Sequence, residues 1–137
     1  VTVDHREEHD LESGAVLQAV VKQGTGGSTP VEGDLVFVHV SISKEADEDD
    51  LLWSTKAEEG GSGGPLAFLM EKGARAPRAW EIALKAMTKG QVNRLRIKPS
   101  YGFRHPLCKM PPPPGVPAGQ PLACTLELVE LVSGQQV

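Results

Sequence analysis

Residues 78–103 read RAWEIALKAMTKGQVNRLRIKPSYGF, and a change of period inside this stretch decides the fold. Trp80, Ala83, Leu84 and Met87 fall at i, i+3, i+4 and i+7, one apolar stripe of a helix over residues 77–87. Pro77 suits the helix entry, where a missing N–H costs nothing, and Gly90 suits the exit. From Gln91 the period drops to two. Asn93, Leu95 and Ile97 share one face while Val92, Arg94, Arg96 and Lys98 share the other, so residues 91–99 form a strand.

The flanking chain is built of short β-prone runs. AVLQAVVK (15–22) and LVFVHVSI (35–42) precede the helix, and the second is apolar enough for a central strand covered on both faces. LLWST (51–55) and LAFLM (66–70) are shorter candidates, divided by the glycine-rich loop EEGGSGGP at 58–65. LACTLELVELV (122–132) closes the sheet, and its alternation slips near Leu128–Val129, the mark of a bulge. Between residues 101 and 120 lies a long loop stiffened by PPPPG at 111–115. The expected fold is α+β, an antiparallel five- to six-stranded sheet wrapped around one short helix.

Residues 1–13 are charge-rich and read as a mobile acidic tail, 14–132 as the domain and 133–137 as a C-terminal tail. The net charge of −4 disfavours nucleic acid as a partner. No run approaches the length of a membrane span, and no charged-then-apolar leader opens the chain. Cys108 and Cys124 follow no metal-ligand spacing, and so sparse a cysteine content favours a reducing, intracellular compartment. His5 and His9 stand at i and i+4, yet nothing nearby completes a metal site, so no metal or cofactor is expected. His39 reads as a hydrogen-bonded sheet residue. The acidic run at 45–50 reads as a solvated turn, with a basic partner as the sharper alternative.

The order and spacing of GDLVFVHV (33–40), GPLAFLMEKG (64–73), RAWEIALKAMTKGQ (78–91), RLRIKPSYGF (94–103) and PLACTLELVEL (121–131) resemble the FKBP family, the FK506-binding peptidyl-prolyl isomerases. Within that family the chain is most similar to the first FKBP domain of plant Pasticcino-type multidomain immunophilins. The resemblance implies rotation about X-Pro bonds in an apolar pocket, with proline-containing peptides or client proteins as partners. For the Pasticcino-type proteins it also implies further domains with tetratricopeptide repeats and a cytoplasmic or nuclear location.

Carried over position by position, the resemblance makes Trp80 the pocket floor, Phe68 an aromatic at its edge, and Tyr101 and Phe103 the aromatic loop. Phe103 falls where the family's tyrosine hydroxyl bonds a ligand. Val40 replaces a pocket tyrosine, Leu52 and Trp53 replace a Phe-Asp pair, and Leu66 and Cys124 replace two phenylalanines. Ala76 and Pro77 precede the helix, and Pro77 occupies the position whose backbone N–H serves a ligand carbonyl. His105 belongs to the pocket rim. So depleted a pocket implies weak or absent isomerase activity and poor binding of FK506-like macrolides. An interaction module is then the leading expectation, with a working isomerase as the alternative. Trp53 has two readings, a plug in the pocket mouth or an edge-strand tryptophan.

Overall fold

A computed structural model describes residues 9–10, 15–47, 49–70, 76–106 and 108–133. The strands are β1 (His9–Asp10), β2 (Val16–Lys22), β3 (Leu35–Lys44), β4 (Leu51–Ser54), β5 (Leu66–Leu69), β6 (Val92–Ile97) and β7 (Leu122–Val132). Among the described residues the one α-helix, α1, spans Arg78–Leu84. The sheet runs β1-β2-β6-β7-β3-β4, with β5 pairing β3 alongside β4. Every pairing is antiparallel. The strand count exceeds the sequence expectation by β1, whose two residues pair with Leu17 and Gln18 from within the segment read as a tail. His5 and most of that segment lie outside the described residues.

β3 is the axis of the sheet, bonded to β7 along its whole length and to β5 and β4 in succession on its other side. Val36, Val38, Val40 and Ile42 are 0% exposed and face α1. Phe37, His39 and Ser41 alternate with them and are only half-buried, so the two-sided burial expected of this strand is not found. The physical reason lies in the architecture: one helix covers one face, and His39, Ser41 and Ser43 put polar atoms on the other. His39 Nδ1 lies 2.8 Å from Thr55 Oγ1, a sheet hydrogen bond as expected. On β7 the register shifts between Leu128 and Glu130, which places the bulge where the alternation slips.

The helix is shorter than its stripe. After Leu84 the chain tightens into i→i+3 bonds, from Ala86 N to Ala83 O at 3.1 Å and from Met87 N to Leu84 O at 3.0 Å. Met87 is nevertheless fully buried with Trp80, Ala83 and Leu84, so the apolar period outlasts the helix. Gly90 then adopts φ 86°, a left-handed value that side chains disfavour, and its N–H bonds Leu128 O at 2.7 Å.

A buried amide ladder ties this turn to the sheet. Gln91 Oε1 accepts from Thr88 N, Gln91 Nε2 donates to Asn93 Oδ1 at 2.9 Å, and Asn93 Nδ2 donates to Gln18 Oε1 at 2.7 Å. All three amide side chains are buried. Truncating Asn93 to Ala leaves an amide stranded on either side, so Asn93→Ala is expected to lower stability by about 1–3 kcal/mol, read from the urea unfolding midpoint.

Candidate functional site

Trp80 sits near the start of α1, and its neighbours come from every part of the fold. Pro77 is the N-cap, and its carbonyl accepts the Trp80 N–H at 3.1 Å. Arg78 Nη1 lies 3.6 Å from the buried carboxylate of Glu81, anchoring the first turn. Phe68 on β5 meets the indole at 6.3 Å between ring centroids with a 38° tilt, and Phe103 meets it edge-on at 6.0 Å and 82°. Such pairs add about 0.5–1.5 kcal/mol each beyond the area they bury.

Strand register places the remaining candidates. Val36 faces Phe68 and Val38 faces Leu66 across β3 and β5, so both β5 side chains point to the helix side. Trp53, Ile42 and Cys124 form one row across β4, β3 and β7, also on the helix side. Trp53 is half-buried and packs against the core around Trp80, together with Leu52, Leu66 and Tyr101. The register shift beside it leaves Leu52 without a partner on β3. Val40, Ala76 and Cys124 lie in the buried core itself. His105 reaches the group through Tyr101, their rings 5.7 Å apart.

Residues of the long loop also reach this site, and sequence reasoning did not single them out. Val116 is buried in the same core, and Cys108, Met110 and Ala118 pack against it. Gly115, at φ 84°, lies against the Leu52 carbonyl, where a Cβ would sit at 3.7 Å. The only local signal was an apolar valine directly after PPPPG, too little to assign a contact. With these neighbours in place Trp80 is 1% exposed. Among the described residues its indole N–H meets no nitrogen or oxygen acceptor, and its polar neighbour is the Cys124 thiol.

Burial pushes the Cys124 thiol up to about 12, while the nearby indole N–H and the Arg94 charge pull weakly the other way. Cys108 is also raised, first by burial and further by Glu81, against a bond to the Met110 carbonyl. Neither cysteine forms a disulfide. Among the described residues no group of three or more His, Cys, Asp or Glu side chains is placed to hold a metal ion.

A concave antiparallel sheet closed on one short helix, with that helix's tryptophan ringed by aromatics, defines a proline-isomerase type of domain. Residues 26–129 match the family described as FKBP-type peptidyl-prolyl cis-trans isomerase, and the chain belongs to it. It is 28% identical over 117 residues to peptidyl-prolyl cis-trans isomerase PASTICCINO1 of Arabidopsis thaliana, covering 85% of this chain and 18% of that protein. It is 32% identical over 116 residues to FKBP4 of Mus musculus, covering 84% of this chain and 23% of the relative. The three FKBP domains of wheat FKBP73 align with TM-score 0.68 at 26% identity, over 92% of this chain and 48% of that structure. The chain thus spans only a part of these longer proteins.

The Cys124 shift has a consequence for stability. A thiol raised from 9.0 to about 12 keeps its proton in the folded state, whereas the unfolded chain loses it first. Stability is therefore expected to fall as pH rises above about 9, and Cys124→Val should flatten this decline in parallel thermal melts between pH 8 and pH 11, while an identical slope in both proteins would exclude the thiol as its source.

Proposed function

We propose that this is an FKBP-type domain with a proline pocket too depleted for efficient turnover, acting mainly as a protein-interaction module of a larger immunophilin. One observation carries the proposal: the aromatic frame of Trp80, Phe68 and Phe103 is retained, while the positions that would grip a twisting imide hold apolar groups. Rotation about an X-Pro bond faces a barrier of about 20 kcal/mol. A pocket lowers it by desolvating the imide and by aiming fixed donors and charge at it.

Several of those aids are missing here. Trp53 stands in place of the carboxylate expected from the resemblance, Phe103 has no hydroxyl, and Pro77 at the helix entry has no N–H to offer. Each donor lost beside a buried acceptor costs about 1–3 kcal/mol, so the losses together weigh more than one tenfold step in rate. The 1% exposure of Trp80 supports the same reading, since a proline ring needs a free indole face. Trp53 packs against the core that holds Trp80, which supports the plug reading of this residue.

The retained aromatic frame favours the second reading, an active isomerase working through a remodelled apolar pocket. The partner in either case is a proline-containing peptide or client protein, with FK506-like macrolides bound weakly at most. No helix among the described residues is long and apolar enough to cross a membrane. A cytoplasmic or nuclear location is part of this proposal, supported by the sparse cysteine content and the Pasticcino-type resemblance.

A protease-coupled peptide assay decides between the two readings. The wild-type chain should give little rate above background, and the double variant Trp53→Asp/Pro77→Val, which restores a carboxylate and a backbone N–H, should raise it about tenfold or more. A wild-type rate equal to that of an intact family member would sink the proposal.

A further inference from the structure

The proline run at 111–114 takes no part in the chemistry assigned to Trp80, and covalent geometry dictates its backbone. Each proline ring fixes φ near about −65°, and a residue that precedes a proline is pushed to an extended ψ. Met110, Pro111, Pro112 and Pro113 all precede prolines, which is the condition for polyproline II. The run then ends in a turn. Val116 N–H donates to the Pro113 carbonyl at 3.0 Å, and Gly115 between them takes φ 84°. Proline followed by a glycine of positive φ marks a type II turn, in which the proline keeps an extended ψ. Pro114 therefore prolongs the run before Gly115 reverses the chain.

Both ends of the run are pinned to the domain. Met110 packs against the core and its carbonyl accepts the Cys108 thiol at 3.5 Å, while Val116 is buried. Polyproline II has three residues per turn, so Pro111 and Pro114 share one edge about 9 Å apart, with Pro112 on the second edge and Pro113 on the third. Burial follows that period: Pro111, Pro112 and Pro114 are exposed and Pro113 is half-buried. The fold hides one edge and presents the other two. Among the described residues nothing donates to the carbonyls of Pro111 and Pro112.

The charge of this loop has one sign. Residues 98–126 include Lys98, Arg104 and Lys109 and no Asp or Glu. Arg104 and Lys109 are exposed and sit in no ion pair among the described residues. The Arg104 guanidinium lies against the far end of the loop, where a Cβ on Gly119 would fall 3.0 Å from its Nη2. Glu81, whose charge reaches Cys108, is buried and faces Arg78.

We propose that residues 109–114 are themselves a ligand, docking as polyproline II into the aromatic-lined groove of an SH3-type domain of a partner protein, with Lys109 against carboxylates beside that groove. Pro111 and Pro114 supply the P-x-x-P edge, Pro112 the second edge, and the two open carbonyls accept from donors in the groove. A run already held extended at both ends loses little entropy on docking. Here the domain offers prolines and does not receive one, so the inference is independent of turnover at Trp80.

The test uses the full chain, a panel of purified SH3 domains with acidic residues beside the groove, and the free peptide of residues 108–116 as reference. At least one domain should bind the chain at concentrations below about 1 mM, within about tenfold of its affinity for the peptide, and more weakly as salt rises. Pro111→Ala/Pro112→Ala should weaken this binding about tenfold or more without altering the thermal melt. Lys109→Glu, at an exposed position, should weaken it and abolish the salt dependence. Amide shifts of the labelled chain should centre on Lys109, Met110 and Gly115. No binding by any domain up to about 1 mM, binding more than tenfold weaker than that of the peptide, undiminished binding by either variant, or shifts centred on Trp80 would each overturn the inference.

Discussion

The seating of one indole against the concave face of the sheet is the constraint on which the rest of this molecule depends. Trp80 is contributed by a helix of only 7 residues, far too short to persist on its own. It is held because Phe68, Phe103, Val40 and Cys124 close around the ring from three strands and a loop. Truncating an interior aromatic of this kind costs about 3–5 kcal/mol, a large part of the stability of an ordinary domain. Under the proposed function the same indole is the surface a proline ring would need, so fold stability and ligand access would compete for one side chain that is 1% exposed.

The replacements around the indole fit together as packing. Cys124 is smaller than an aromatic, and Trp53, two positions along the same inward row, is larger than the carboxylate residue expected from the family resemblance. The row carries its bulk nearer the edge strand. The loop bearing PPPPG adds Val116 and brings Gly115 against Leu52. A site that exchanges polar groups for apolar ones gains burial and loses the oriented dipoles that stabilise a twisted imide. Under the proposed function, that exchange is what would favour recognition over turnover.

The two faces of the sheet divide the chemistry. The helix side is apolar, apart from the amide ladder at its far end. The other side is a field of hydroxyls and charges, organised by Glu59 and bordered by the acidic turn after β3. The short 3-10 turn at Ala57–Glu59 and the close approach of Gly61 to β4 hold that carboxylate in place. A Cβ on Gly61 would fall 2.3 Å from the Ser54 carbonyl, which explains why glycine stands there.

Periodicity alone determined the helix position, the face of β6 that is buried, the bulge in β7 and the α+β class, because each depends on side chains a few residues apart. Motif order supplied the family, and with it most of the residues that gather at Trp80. What local pattern did not carry was set by contacts distant in the chain. The one-sided burial of β3, the helix-side placement of Trp53, the arrival of Val116 and the hydroxyl-lined outer face all depend on which strands become neighbours. Register converts a residue's place in the chain into a face and a partner, and register is settled only when the whole sheet closes on the helix.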